Sequence, residues 1–169
     1  MNICLLGRSG SGKTTAAQHL STKGFLPVST GALTRRLCRD LYGDEDREHL
    51  NRLTDTILGV DQEFWVRITL QQISEHGRIV FDSARTPAEY DILRGRGFRM
   101  VRIVADKATR FARLAARGQQ FRLTDDDHHT ETSLDMHPAD AVVVNNTDDM
   151  ILFGGALSAA LIELGGEAS

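Results

Sequence analysis

The sequence predicts an α/β fold, a five-stranded parallel sheet with helices on both faces. Two observations lead to this prediction. Short apolar runs alternate with longer segments in which apolar residues recur every three or four positions. The runs are almost continuously apolar, as in strands that are buried on both faces. They occupy residues 3–6, 25–28, 78–82, 98–104 and 141–144.

The first half of the chain carries an unusually long connection between two strands. A helix from about Lys13 to Thr22 links the first two strands in the ordinary way. After the second strand, three helical patterns follow one another within residues 32–76. The first has Ser29 as its N-cap, and glycines separate the patterns. Because this connection is much longer than a minimal crossover, we expect 32–76 to be a helical acceptor-binding insertion.

The second half returns to regular alternation. Thr86, Pro87 and Glu89 form a helix start with an N-cap, a proline in the first turn and a capping-box glutamate. Another helix follows the fourth strand and ends near Gly118. Residues 118–138 are polar and aperiodic, which predicts a lid-like loop. The last strand and an apolar helix complete a single domain over residues 1–169, in which we see no repeat or linker.

Composition excludes several functional classes. Net charge is −3, so no global basic field favours duplex DNA or an anionic membrane, although a local basic groove stays open. Two cysteines, Cys4 and Cys38, are far apart and are expected to be buried hydrophobes. No leader sequence and no apolar run of membrane-spanning length are visible, so we expect a cytoplasmic protein.

The motif with the clearest chemistry is the loop after the first strand. Residues 7–14 read Gly-Arg-Ser-Gly-Ser-Gly-Lys-Thr, the G-x-x-x-x-G-K-[ST] spacing of the phosphate-binding P-loop. Its amides and the following helix N-terminus favour phosphate oxygens. Lys13 is predicted to contact the β/γ-phosphates, and Thr14 to hold Mg²⁺. We therefore expect ATP and Mg²⁺ as cofactors, with the donor bound by Gly7, Ser9, Gly10, Ser11, Gly12, Lys13, Thr14 and Thr15.

A second informative place is the end of the third strand. Ligands of parallel sheets bind at the carboxyl ends of strands, so Asp82 is expected beside the P-loop. There it can hold Mg²⁺, through water, or accept a proton from a hydroxyl. Arg85 can grip a phosphate with two N–H groups. We predict Asp82 to be a catalytic and metal-binding residue and Arg85 to bind the acceptor, whereas Glu89 serves its capping box.

Several short segments resemble nucleotide kinases. Residues 29–35, Ser-Thr-Gly-Ala-Leu-Thr-Arg, are similar to the S-T-G-D-x-x-R segment of adenylate-kinase-like nucleoside monophosphate kinases, with Ala32 in place of aspartate. That resemblance implies that Thr30 and Arg35 bind the acceptor monophosphate. Residues 82–89 resemble the D-x-R-x-x-N-E segment of phage-type deoxynucleoside monophosphate kinases, with alanine in place of the asparagine.

The later segments resemble the same families. His128-His129-Thr130-Glu131 is similar to the H-x-S-E element of the phage-type kinases, and the strand ending at Asn145 to their D-x-I-x-N element, which implies that Asn145 lies beside the donor base. Arg110, Arg113 and Arg117 share one helix face. The resemblance implies a series of arginines entering a lid, and we predict that Arg113 and Arg117 stabilise the transferring phosphoryl group.

These resemblances imply phosphoryl transfer from ATP to a nucleoside monophosphate, giving the diphosphate. The acceptor that they favour is a deoxynucleotide. One alternative is a kinase for a hydroxyl of a modified nucleotide or DNA base, a nucleoside, dephospho-coenzyme A or a sugar. Another is a nucleotide-binding switch or ATPase, which has no need of arginines at three strand ends. We expect a small-molecule nucleotide acceptor and no membrane partner; DNA as acceptor and a homodimer stay open.

Two other residue groups have competing interpretations. His128, His129 and His137 suggest zinc, but no cysteine is near and their spacing matches no structural zinc motif. Phe64 and Trp65 could stack on a base, although their helical spacing with other apolar residues is more typical of a core.

Overall fold

The structure is a computed structural model that describes residues 1–71, 73, 77–118 and 123–165. All strands of its sheet are parallel, in the order β2-β3-β1-β4-β5. This confirms the predicted five-stranded parallel sheet. The strands are β1 (Asn2–Leu6), β2 (Leu26–Val28), β3 (Ile79–Asp82), β4 (Phe98–Val104) and β5 (Ala141–Val144).

Helices connect the strands and cover both faces of the sheet. The longest connection, between β2 and β3, contains three helices, as the sequence predicts. The helices are α1 (Lys13–Ser21), α2 (Thr30–Tyr42), α3 (Arg47–Val60), α4 (Phe64–Gln71), α5 (Pro87–Gly95), α6 (Lys107–Ala116), α7 (Leu123–Asp126), α8 (His129–Thr132) and α9 (Met150–Glu163).

The central strand β1 divides the core into two layers. Ile3 and Leu5 point into a cluster with apolar residues of α1 and α9. Cys4 and Leu6, on the other face, join a cluster with residues of α4 and α5. Alternation along a strand puts successive side chains on opposite faces, so both layers need apolar residues and β1 reads as a continuous apolar run.

The helix caps follow the sequence signals closely. Ser29 caps α2 by accepting from the backbone N–H of Ala32 at 3.2 Å. Thr86 and Glu89 form the predicted reciprocal capping box of α5. In the insertion, α4 covers Phe64–Gln71, and Ile73 is also buried. Residues 72 and 74–76 of the predicted insertion lie outside the described residues.

The polar segment before β5 contains more structure than the sequence predicts. Residues 118–138 are predicted to be a lid-like loop, yet α7 and α8 form within them. Each helix has 4 residues, too short to produce a periodic apolar pattern. Leu134 packs into the core cluster beneath α5 and anchors the segment. Residues 119–122 of the predicted loop lie outside the described residues.

Two expectations drawn from composition concern cysteines and membranes. Cys4 and Cys38 are both free and buried, and burial raises the pKa of the Cys4 thiol to about 12. Cys4 is therefore a small core residue rather than a reactive thiol. Among the described residues, no helix combines the length and the apolar character needed to cross a bilayer.

Candidate active site

The P-loop runs from the end of β1 into α1. Gly12 has φ +106, and a Cβ there would lie 2.2 Å from Asn145 Nδ2, so only glycine fits. Asn145 donates from that nitrogen to the carbonyl oxygen of Ser11 at 2.8 Å, which holds the loop against the end of β5. Lys13 is almost fully buried and donates to the carbonyl oxygen of Arg8 at 3.1 Å. Burial lowers the pKa of its ammonium, although Glu131 and Asp82 oppose that effect.

The two predicted metal ligands lie together. Thr14 Oγ1 donates to Asp82 Oδ2 at 2.9 Å. Leu5 of β1 pairs in register with Asp82 of β3, so the sheet itself sets the carboxylate beside the loop that follows β1. A hydroxyl and a carboxylate at this edge supply the oxygen donors that Mg²⁺ prefers.

A carboxylate occupies the mouth of the P-loop. Glu131 of α8 accepts from the backbone N–H of Ser9 at 2.6 Å and from the Ser9 hydroxyl at 2.7 Å. Arg85 Nη1 donates to the same carboxylate at 3.0 Å. These donors therefore bind an anion in this structure. Together with the buried ammonium of Lys13, they fit the anionic phosphates of ATP.

The charge state of Glu131 follows from its neighbours. Its side chain is only 2% exposed, and burial by itself would raise the pKa of the carboxyl. Arg85, Lys13 and the two hydrogen bonds from Ser9 outweigh burial and leave that pKa below its ordinary value. Glu131 is therefore an anion at neutral pH, held by the groups that surround the loop.

A cavity opens beside the P-loop, between β3 and the inserted helices. Three arginines line it, namely Arg35, Arg47 and Arg85. Its other walls combine apolar, hydroxyl and other polar side chains, among them Thr30, Thr34, Leu50, Asn51, Leu58, Trp65, Glu89, His128 and Thr130. The three arginines also line the neighbouring channel that contains Lys13, Thr14 and Asp82. The cavity and the phosphate channel are therefore contiguous, and positive side chains lie at their junction.

The residues predicted to bind the acceptor lie around this cavity. Thr30 is buried and its hydroxyl donates to the carbonyl oxygen of Ser83 at 3.4 Å. Arg35 is half exposed, with its Nε 3.9 Å from Glu45. Arg85 carries the contact with Glu131 described above. The structure therefore brings Thr30, Arg35 and Arg85 to the same cavity wall, and their contacts with an acceptor stay a prediction.

Arg110 and Arg113 of α6, and Arg117 directly after it, have separate surroundings. Arg113 donates to the carbonyl oxygens of Asn145 and Thr147 at 3.0 and 2.6 Å and lines a pocket with Gly12 and Thr15. Arg117 lines the phosphate channel together with Lys13. Arg110 is buried, forms a two-bond ion pair with Asp126 at 2.6 and 2.9 Å, and donates to the carbonyl oxygen of Ser9. The phosphoryl-stabilising role of Arg113 and Arg117 stays a prediction.

Comparison with known families identifies the chain. A family profile described as an AAA domain matches residues 3–134. The chain belongs to this family. The match spans β1 to the segment after α8, so it includes the P-loop, the inserted helices, Asp82 and Glu131. No curated protein is significantly similar to this AAA-domain chain.

Solved structures give the fold of the AAA-domain chain. A gluconokinase from Sinorhizobium meliloti is 17% identical with a TM-score of 0.67, covering 96% of this chain and 92% of that one. TT1252 from Thermus thermophilus is 22% identical, with a TM-score of 0.61 and 98% of both chains covered. A shikimate kinase from Acinetobacter baumannii, solved with shikimate, is 14% identical with a TM-score of 0.58. The match covers 99% of this chain and 95% of that one. At these identities the likeness establishes a shared fold, that of the P-loop kinases.

Sequence reasoning missed two residues of this AAA-domain site. Arg47 lies at the first position of α3, where the helix dipole disfavours a cation. This unfavourable position could have indicated from the sequence that Arg47 has a functional role. Glu131 is part of the H-x-S-E resemblance, but its contact with Ser9 joins residues 122 positions apart. No local pattern predicts a pair at such a separation.

Proposed function

We propose that this chain is a kinase that transfers the γ-phosphoryl group of ATP to a nucleoside monophosphate, first of all a deoxynucleotide, forming the diphosphate. The observation that carries the proposal is the set of Arg35, Arg47 and Arg85 lining both the cavity and the phosphate channel. Guanidinium groups bind phosphate through paired N–H donors, so a phosphorylated acceptor suits this junction.

On the donor side, the P-loop amides and Lys13 would hold the phosphates of ATP. Thr14 and Asp82 would hold Mg²⁺, which neutralises charge on the transferring group when it is bound. Glu131 now occupies the Ser9 donors, so its carboxylate would have to leave as phosphate enters. Two anions cannot share these donors without a large electrostatic cost.

On the acceptor side, the cavity offers two kinds of surface. Leu50, Leu58 and Trp65 form an apolar wall suited to the faces of a planar base. The indole N–H of Trp65 is buried and has no hydrogen-bond partner among the residues that the structure describes. A monophosphate acceptor is already an anion and needs no strong general base. Positioning and charge neutralisation therefore supply the catalysis.

A second candidate is transfer to a hydroxyl of a small acid. The names of two structural neighbours, gluconokinase and shikimate kinase, favour it. In that reaction the arginines would bind a carboxylate, and Asp82 would accept the hydroxyl proton. The hydrogen bond from Thr14 to Asp82 favours the metal role over the base role, because the carboxylate already faces the P-loop.

The test is an ADP-release assay with Mg²⁺·ATP and a panel of acceptors. It contains all ribo- and deoxynucleoside monophosphates, the matching nucleosides, and gluconate and shikimate. The proposal predicts ADP release with one or a few monophosphates and none with their nucleosides. Release with a hydroxy acid or a nucleoside would establish the second candidate instead. Equal release with and without every acceptor would indicate an ATPase.

A further inference from the structure

A cluster of potential metal ligands lies on the outer side of the acceptor cavity. Asp55 projects from α3, while His128 and His129 lie at the start of α8. One ligand atom from each of the three residues lies within 4.8 Å of the others. His128 Nε2 is 3.7 Å from Asp55 Oδ2, and His129 Nε2 is 3.8 Å from Asp55 Oδ1. The two imidazole rings lie 4.4 Å apart.

These separations are close to those of a bound metal. Zn²⁺ bonds of about 2.0–2.2 Å in a tetrahedral arrangement put neighbouring ligand atoms about 3.3–3.5 Å apart. The two histidine–Asp55 pairs exceed that spacing by a few tenths of an ångström, and the ligand atoms of the two histidines lie within 4.8 Å of each other. The side chains of Asp55 and His129 are 47% and 59% exposed, so they can rotate and a metal ion can enter from solvent.

A neighbouring residue holds the other ring nitrogen of one imidazole. His128 Nδ1 lies 2.9 Å from the hydroxyl oxygen of Thr130. Nδ1 also accepts from the backbone N–H of Thr130 at 3.4 Å, as the N-cap of α8. Coordination of a metal through Nε2 therefore requires the tautomer in which Nδ1 instead donates to the Thr130 hydroxyl oxygen. Histidines that bind metals commonly have their other ring nitrogen held by such a partner.

We propose that Asp55, His128 and His129 form a binding site for a divalent transition metal of the Zn²⁺ class. Two imidazole nitrogens and one carboxylate oxygen form a donor set that suits Zn²⁺, Co²⁺ or Ni²⁺, and Mg²⁺ prefers oxygen ligands. With three protein ligands, at least one coordination position stays with water. The site is separate from the oxygen site formed by Thr14 and Asp82.

The position of this site connects two parts of the molecule. A metal ion there would fasten α8, which carries Glu131, to α3 of the acceptor-binding insertion. His128 also lines the acceptor cavity, so the ion would fix one wall of that cavity. Occupancy should therefore raise the midpoint temperature of thermal unfolding, because the metal binds the folded arrangement and not the unfolded chain.

The chain contains a matched control for the metal-binding cluster. His49 on α3 is also exposed and lies 2.8 Å from Asp44, and these two residues form an ordinary histidine–carboxylate pair. If one histidine–carboxylate pair were enough to bind a metal ion, His49→Gln would weaken metal binding as much as His129→Gln. If three converging ligands are needed, only the cluster variants lose binding.

The test uses the full chain without an affinity tag, freed of metal by a chelator. Co²⁺ titration is followed by visible absorption, and Zn²⁺ titration by calorimetry, both with excess Mg²⁺ present. We expect one equivalent of Co²⁺ to bind with the intense absorption of a four-coordinate site. Loss of a ligand in His129→Gln or Asp55→Asn should weaken binding by about 100-fold or more, while His49→Gln binds as the wild type.

Three results would overturn this proposal. They are absence of saturable Co²⁺ and Zn²⁺ binding by the wild type, unchanged binding in His129→Gln and Asp55→Asn, and equal loss in His49→Gln. Circular dichroism of each variant shows whether it is folded. All three substituted residues are at least partly exposed, so the variants are expected to fold. The readout is metal binding itself, so it is independent of which acceptor the enzyme phosphorylates.

Discussion

The carboxylate of Glu131 accepts two hydrogen bonds from Ser9, one from the backbone N–H at 2.6 Å and one from the hydroxyl at 2.7 Å. It joins α8 to the P-loop across 122 positions of sequence. The same carboxylate pairs with Arg85. One buried acid therefore holds donors on both the phosphate-binding loop and the acceptor wall, and phosphate must compete with it.

This competition predicts a gain of nucleotide affinity in Glu131→Gln. The amide is neutral, so it holds Ser9 and Arg85 less strongly than the carboxylate does. A difference of about 1 kcal/mol between charged and neutral hydrogen bonds corresponds to roughly fivefold tighter binding. Calorimetry with a non-hydrolysable ATP analogue measures it, and Glu163→Gln on the exposed face of α9 is the control. Weaker binding by Glu131→Gln would mean that Glu131 organises the loop for ATP instead of competing with it.

Lys13→Ala should remove most turnover without unfolding the chain. The ammonium bonds only to the carbonyl of Arg8 among the described side-chain hydrogen bonds, so its main role is toward phosphate. Loss of one such electrostatic group lowers kcat by about 100- to 1000-fold. Steady-state kinetics measure the change, with Lys23→Ala, just beyond the end of α1, as control. A rate near that of the wild type would contradict the assignment of the P-loop lysine.

Arg85→Ala should act on the acceptor more than on the donor. Removing a charged hydrogen-bond donor worth about 1.5–3 kcal/mol should raise the acceptor KM by roughly 10- to 100-fold. The KM for ATP should change much less, because the P-loop and Lys13 stay in place. Kinetics with each substrate varied in turn separate the two effects, and exposed Arg96→Ala is the control. An effect confined to the KM for ATP would move Arg85 to the donor side.

The acidic groups of the α7–α8 segment predict how the free energy of unfolding changes as the pH is lowered. The hydrogen bond from Arg110 lowers the pKa of Asp126, and the pKa of Glu131 is also below its ordinary value despite burial. When folding lowers the pKa of a carboxyl, the ionised carboxylate stabilises the folded protein at any pH above the pKa of that group in the unfolded chain. This stabilisation is lost as the pH falls through the pKa of the group in the folded protein. The free energy of unfolding should therefore fall as the pH is lowered below about 4.5, the ordinary value for glutamate.

Urea unfolding at a series of pH values between 7 and 3 measures this dependence. Glu131→Gln cannot gain a proton at this position, so its unfolding free energy should fall less steeply over the acid range. Identical slopes for the variant and the wild type would show that Glu131 does not contribute to acid sensitivity.

The sequence predicts the parts of the site that depend on local spacing or on strand order. The P-loop is eight consecutive residues, and its strand and helix follow from adjacent patterns. The contact of Thr14 with Asp82 follows from a parallel sheet, because neighbouring strands end at one edge. Neither prediction requires knowledge of side-chain packing.

Other features depend on how distant segments meet. Glu131 reaches Ser9, and Asp55 reaches His129, only because α8 docks between the P-loop and the insertion. The helix α8 has 4 residues and no periodic signal. Arg47 could be suspected from its unfavourable place at a helix start, but its cavity is built by segments that are far apart in the sequence. Tertiary packing decides these contacts, and a single sequence does not specify it by pattern.

The most direct test of the central claim is to identify the atom that receives the phosphoryl group. Phosphorus NMR of the reaction of wild-type protein with Mg²⁺·ATP and the best monophosphate resolves the products. Because ADP is released whatever the acceptor, we predict two nucleoside diphosphates for each ATP consumed, together with loss of the monophosphate resonance of the acceptor, and neither change with Lys13→Ala. A new phosphomonoester resonance on a hydroxyl, or ADP and inorganic phosphate with the monophosphate unchanged, would contradict this prediction.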